Sequence, residues 1–218
     1  MKAGLKRILT AGLTEAMRRL RFLAAVMFCL GAASCGEGGS SEGVSESEIV
    51  VGTHVDLTGP ISGWGVAVRN GIEMAFAEAN EAGGVHGRML RLVAEDNGYD
   101  TRRAISAVQK LLGRDHVFAI LAPVGTPTVE ATIERVIEAG TLHLFPLTAA
   151  PSAYEPFNRL KFAALAPYGP MLRAGVNEIL KTQGFTRICG IFQSDDFGAA
   201  LRDGASAGLK ANGLEFVA

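Results

Sequence analysis

From Ile49 onward the chain alternates short β-branched runs with stretches of helical period, and this alternation restricts the fold more than any single motif does. Ile49–Val55 is mostly β-branched and is bounded by a polar segment and by the Gly/Pro loop Thr58–Gly65, which predicts a buried strand. Val68, Ile72, Ala75, Phe76 and Ala79 follow at helical spacing, and Gly83-Gly84 ends that helix. A second strand is expected at Leu90–Ala94, with a helix at Thr101–Leu112 whose apolar face is Ala104, Val108, Leu111 and Leu112. Val117–Leu121 is the third strand, Pro127–Ala139 the third helix and His143–Pro146 the fourth strand. Such an order predicts an α/β fold, a parallel sheet covered by helices on both faces.

Residues 151–158 are irregular, and then the rhythm restarts. Strands are expected at Leu160–Leu165 and Arg187–Phe192, and helices at Pro170–Gln183 and Phe197–Asn212. Leu214–Val217 opens another strand at the end of the chain. The body therefore reads as a first lobe at 49–147, a crossover at 148–160 and a partial second lobe at 161–218. Two strands and two helices make a poor core, and a terminal edge strand lacks partners, so the second lobe reads as truncated.

Ahead of the body stands an export leader, residues 1–35. Met17–Arg21 is basic, Phe22–Ala33 is an apolar stretch of 12 residues, and small residues lead to Cys35. That stretch is shorter than the roughly 20 residues needed to span a bilayer. Ala32-Ala-Ser-Cys35 resembles a bacterial lipobox, with Ala32 where Leu is usual. Two outcomes stand: lipidation at Cys35 with anchoring to the membrane, or ordinary cleavage nearby giving a free periplasmic protein. The Gly/Ser/Glu run that follows, within a flexible tether at 36–48, suits the anchored form. Residues 1–16 precede a compact signal that has its own methionine, Met17.

Residues 1–34 hold six of the 21 basic side chains and one of the 22 acidic ones, which leaves the rest at a net charge of −6. An acidic surface argues against nucleic acid as a partner. Three cysteines do not make a disulfide framework, and Cys189, inside the apolar run Arg187–Phe192, reads as a small buried core residue. Gly39-Ser-Ser-Glu-Gly43 has the spacing of a nucleophile elbow but no strand before it. Gly63 and Gly65 lack the third glycine of a dinucleotide fingerprint, since Val68 stands there. His54, His86, His116 and His143 show no metal-ligand spacing. Neither an enzyme nor a cofactor or metal site is expected.

In a parallel sheet, ligands sit beyond the carboxyl ends of the strands, so the loops after strands one, three and four are the candidates. Thr126 lies just before a helix, where free N–H groups and the hydroxyl suit a carboxylate, each charge-assisted bond contributing about 1.5–3 kcal/mol; a plain helix cap is the other reading. Trp64, between two glycines, is either a binding wall or a cover over the core. Glu95-Asp96 at a strand end is either a cleft edge or a solvated turn. Asp195-Asp196 reads as an acidic turn before a helix.

Leu57-Thr-Gly-Pro60, Gly71, Ala79–Gly87 and Glu95-Asp96, in that order, are similar to the leucine/isoleucine/valine-binding family of type I periplasmic binding proteins. Its “INAAGGI-x-G” helix end is mirrored by Ala79–Gly87. Its “GP-x-S-S” loop is similar to Ala122-Pro-Val-Gly-Thr126, its “SP-x-A-T” loop to Phe145-Pro-Leu-Thr-Ala149, and its “D-x-x-YG” to Asp195-Asp-Phe-Gly198. The resemblance covers 49–218. It implies two lobes with a solute trapped between them, and ligand contacts at Trp64, Gly125, Thr126, Leu147, Thr148, Ala149 and Phe197. Ala149 departs from the family's hydroxyl residue, while Thr148 stands one position earlier. Phe197 replaces a frequent Tyr; it can stack, or pack on its helix face, but cannot hydrogen-bond. The resemblance implies an amino acid or amide-like solute and the membrane subunits of an ABC importer as partners. A ligand-sensing regulator of the same fold and an inactive remnant are the alternatives.

Overall fold

A computed structural model describes residues 42–218. The expected leader, Cys35 and tether residues 36–41 lie outside the described residues. The rest of the expected tether is docked. Val50 N donates to Gly43 O at 2.8 Å, Met89 N to Ser47 O at 2.8 Å, and the Arg88 guanidinium to Ser45 O at 2.8 Å.

Five parallel strands form one sheet in the order β2-β1-β3-β4-β5: β1 Glu48–Val55, β2 Met89–Asp96, β3 Ala119–Leu121, β4 Leu142–Leu144 and β5 Lys161–Phe162. β1 is buried from Val50 to its end, as its β-branched sequence requires. Helix α1, Ser62–Glu81, covers β1 and β2. Val68, Ile72, Phe76 and Ala79 are half-buried along it, whereas Ala75 is exposed, outside the expected stripe. Asn80 fastens its end to β2, giving its amide to Leu90 O at 2.9 Å and accepting from Leu90 N at 2.7 Å.

Helix α2, Thr101–Gly113, starts at Asp100, whose carboxylate accepts from Arg103 N at 2.9 Å. Its buried face is Ala104, Ala107, Val108 and Leu111, with Leu112 only partly covered. Val50, Val108, Leu111, Val117, Ile120 and Val136 form the central apolar cluster.

The helix expected at 127–139 is two short helices, α3 Thr126–Glu130 and α4 Ile133–Glu138. Thr132 separates them. Its hydroxyl bonds back to Thr128 O at 2.8 Å and lies 3.3 Å from His54 Nε2, and its φ of −123° leaves the helical region.

The strand expected at 160–165 shrinks to β5, and β5 pairs with β4 in the first sheet rather than opening a second one. The first sheet therefore extends past residue 147, through the expected crossover. Helices α5, Tyr168–Gln183, and α6, Asp196–Ala211, follow and pack together. Their contact is built on small residues: a side chain at Gly204 would lie 2.9 Å from Gly169 Cα. The strands expected at 187–192 and 214–217 reduce to one parallel bridge, Ile188–Phe216, with Val217 N donating to Ile188 O at 2.9 Å. A single two-stranded pairing is marginal by itself. Cys189 is accordingly exposed, not buried.

His54 and His143 are fully buried in this sheet. Burial, and then neighbouring His143, lower His54 to about 3; burial, and then Lys161, lower His143 to about 4. Both start from 6.5, so on acidification the unfolded chain takes up protons before the folded one does. Their contribution is complete above the unfolded value and is lost as pH falls from about 6.5 towards 3–4, with a slope of up to about 1.4 kcal/mol per pH unit for each site. Urea unfolding at a series of pH values checks this. Among the described residues, neither ring nitrogen of His143 has a hydrogen-bond partner. His143→Leu is therefore expected to melt no lower than the parent at neutral pH and to show a shallower pH slope.

Candidate functional site

Because the strands are parallel, their carboxyl ends open on one edge, where the connecting loops leave backbone groups without ladder partners. Two carboxylates hold the first of these loops. Buried Asp56 accepts from Thr58 N at 3.2 Å, Ile61 N at 2.8 Å and Gly59 N. Asp96 accepts from Leu57 N at 2.8 Å, Thr58 Oγ1 at 2.6 Å, Gly98 N at 2.9 Å and Arg103 Nη2 at 2.6 Å. Partial burial opposes ionisation of Asp96, but the bonds from Thr58, Leu57, Gly98 and Arg103 outweigh it and hold the carboxyl at about 2. Asp96 is thus a loop clamp, neither cleft wall nor solvated turn. α1 then starts hard against the end of β1, where a side chain at Gly65 would meet Asp56 O at 1.8 Å.

β3 and β4 end alike. Ala122 and Phe145 take positive φ, 48° and 53°, and each precedes a proline. Beyond them pairing resumes: Leu147 N donates to Pro123 O at 2.8 Å and Val124 bridges Leu147. This brings Gly125-Thr126 beside Thr148. Gly125 has φ +106°, and a side chain there would strike the Tyr99 ring at 2.7 Å, so the loops after β2 and β3 lie flush. Behind them, buried Asn97 bonds His54 Nδ1 at 3.2 Å and accepts from Tyr99 N at 2.9 Å.

These loops enclose a cleft of about 440 Å³. One side is Ile61, Trp64 and Tyr99, the floor is Val124, Gly125, Thr126 and Leu147, and the far side is Leu165, Tyr168, Gln193 and Phe197. Among the described lining residues, no side chain carries a formal charge. Tyr168 and Phe197 meet edge to face with centroids 5.5 Å apart. Trp64, 67% exposed, stands at the mouth. Tyr99 Oη donates to Asp195 Oδ2 and accepts from Gln193 Nε2, both at 3.2 Å. Burial raises Tyr99 to about 12; the Gln193 bond opposes this and the Asp195 charge adds to it, so Tyr99 stays a donor. Asp195 Oδ1 also accepts from Gly198 N at 3.0 Å, as an acidic turn before a helix should.

Of the residues singled out from the sequence, Trp64, Gly125, Thr126, Leu147 and Phe197 line this one cleft. Thr148 and Ala149 do not; they are 0% and 2% exposed, behind the floor. The helix that Thr126 starts has only five residues, and Pro127 brings no N–H, so the hydroxyl rather than a helix terminus is the polar feature there. Sequence reasoning missed Ile61, Tyr99, Val124, Leu165, Tyr168 and Gln193. Tyr99 was within reach, since it follows the end of the second strand; Gln193 carried no signal.

A family profile described as periplasmic binding protein matches residues 48–218. The Leu/Ile/Val-binding protein BraC3 of Rhizobium johnstonii is 24% identical over 171 residues, covering 78% of this chain and 46% of the relative. Leu/Ile/Val-binding protein homolog 2 of Brucella abortus is 33% identical over 113 residues, 52% of this chain and 30% of the relative. The crystal structure of a substrate-binding periplasmic protein from Ralstonia solanacearum superposes with a TM-score of 0.72 at 30% identity, over 78% of this chain and 48% of that one. The chain thus spans less than half the length of these relatives. With the parallel sheet and the order of its loops, the match establishes that the chain belongs to the periplasmic binding proteins, in the type I family of the Leu/Ile/Val-binding proteins.

Proposed function

We propose that this chain serves as the extracytoplasmic substrate-binding component of an ABC importer, taking an amino acid or a related small solute. The observation that carries this reading is the cleft itself. It lies at the carboxyl edge of the sheet, has apolar and aromatic walls and has Thr126 in its floor. Its volume falls within the range of small-molecule pockets, and such walls cover a hydrocarbon side chain while few polar groups fix its orientation. The Leu/Ile/Val-binding names of the relatives support a solute with an apolar side chain.

Thr126 is read as the partner of the solute's oxygen, Trp64 as a wall that settles over it, and Phe197 and Tyr168 as the opposing surface. Thr148 and Ala149 contribute through the floor rather than by contact. The basic, apolar, small-residue order of the leader supports export, and Cys35 is read as the lipidated residue that holds the protein at the membrane. The partners are then the importer's membrane subunits, which recognise the surface presented when the walls close on solute. No catalytic group or cofactor enters this reading.

Trp64 is the chain's only tryptophan, so its emission reports the cleft directly. In the full chain, one member of a panel of amino acids and small amides is expected to shift that emission. At a hundredfold excess over its dissociation constant it should add about 2.7 kcal/mol of stability. Thr126→Val should weaken that solute about tenfold to a hundredfold while costing the unliganded fold about 1–3 kcal/mol, because the buried Thr148 hydroxyl loses its partner. Emission and melting that no solute moves would sink the proposal.

A further inference from the structure

Tyr99 is held in a conformation that a bulky residue seldom takes. Its φ is +57°, directly after Gly98 at +55°. Such backbone persists only where its surroundings fix it. Here buried Asn97 accepts from Tyr99 N at 2.9 Å, and the Tyr99 ring lies against Gly125, where no side chain fits. The phenol is thereby a fixed post on the sheet side of the cleft. Its hydroxyl leaves that side. Tyr99 Oη donates to Asp195 Oδ2 and accepts from Gln193 Nε2, each at 3.2 Å, and Gln193 Nε2 also donates to Asp195 Oδ2. Asp195 in turn caps α6 through Gly198 N at 3.0 Å, and Phe197, two residues on, lines the cleft. What Tyr99 holds is therefore the start of the helix that carries the opposing aromatic wall.

We infer that Tyr99, Gln193 and Asp195 form a clasp across the cleft: they hold the two walls at the spacing that encloses a solute, and the Tyr99 hydroxyl acts on the walls rather than on the solute. This deepens, and rests on, the solute-binding reading above. A bond made only while the walls are together raises the population of that state. A solute that needs this state gains affinity by the same factor whatever its chemistry. Gln193 is exposed and Asp195 partly so, which keeps the factor modest, about three- to tenfold. The clasp thus sets how long a solute is retained, while the side chains facing it set which solute enters.

Two measurements on the full chain test this. The first uses Tyr99→Phe, which removes the hydroxyl and keeps the ring, with L-leucine, L-leucinamide and 4-methylpentanoate as probes that differ at the amino and carboxyl ends. For every probe that the parent binds, the variant should raise the dissociation constant by one common factor, about three- to tenfold, through faster release at an unchanged association rate. After Tyr99→Phe, Asp195→Asn should have little further effect, since Asn still caps a helix. A loss carried by slower association, or confined to one of several bound probes, makes the hydroxyl a solute contact and overturns the inference, as does unchanged affinity.

The second measurement needs no solute. The three tyrosines are replaced by 3-fluorotyrosine, and the fluorine signal of Tyr99 is assigned by its loss in Tyr99→Phe. The Tyr99 phenol should titrate at lower pH in Asp195→Asn than in the parent, because the charge that opposes its ionisation is gone; Tyr168, which also faces it, is common to both. Identical titration overturns the clasp. If the parent binds no probe and no member of the solute panel, the solute-binding reading fails, while this titration still decides whether the walls are joined.

Discussion

Every loop at the carboxyl edge of the sheet has to find partners for backbone N–H groups that the ladder no longer serves, and two carboxylates meet that demand where it is greatest. Asp56 and Asp96 close the adjacent strands β1 and β2 and accept from backbone groups of residues 57–61 and from Gly98. An ionised acceptor forms stronger bonds to N–H than a carbonyl does, so the loop is fixed without a second strand beside it. Arg103, from α2, binds the same Asp96 carboxylate. Strand end, loop and helix are thereby joined through one group, and the positions of Ile61 and Trp64 follow from it.

The same problem is solved differently one strand over. β3 and β4 each end in a positive-φ residue and a proline, which withdraws one N–H from the demand and lets the two chains pair again past the interruption. Because both strands make the same detour, their loops stay in step, and the hydroxyls of Thr126 and Thr148 meet. Nothing in this depends on the identity of the solute. The cleft floor is a product of sheet closure, and its chemistry is set by which side chains the detour leaves facing outward.

This explains which parts were legible in the sequence. Buried parallel strands and their covering helices follow from local pattern, so β1, β2 and α2 were readable to within a residue or two, whereas α1 begins at Ser62, inside the loop expected at Thr58–Gly65. Thr132 was not recognisable as a helix break, because the break depends on a hydroxyl bonding backward beside His54, a residue 78 positions away. The strand at 161–162 was readable as a strand but not as a member of the first sheet, since period says nothing about which neighbour a strand chooses. Arg187–Phe192 has the composition of a buried strand, yet only the Ile188–Phe216 bridge forms there and Ile191 is fully exposed. In the cleft, the residues on loops after strand ends were accessible to reasoning. Asp56 was not, because its function is to serve N–H groups that the sequence does not display.

The far wall depends on polar contacts more than on packing. Tyr99 reaches across to Asp195, and Gln193 bonds both of them, so the groups that join the two sides are the ones beside the solute space. Partial burial and the neighbouring Asp195 charge hold the Tyr99 phenol well above its ordinary range, so it stays a donor. Asp195 accepts from Tyr99, Gln193 and Gly198, which ties this carboxylate to the wall. The described part of the cleft thus joins its two sides through polar groups while its walls stay apolar and aromatic.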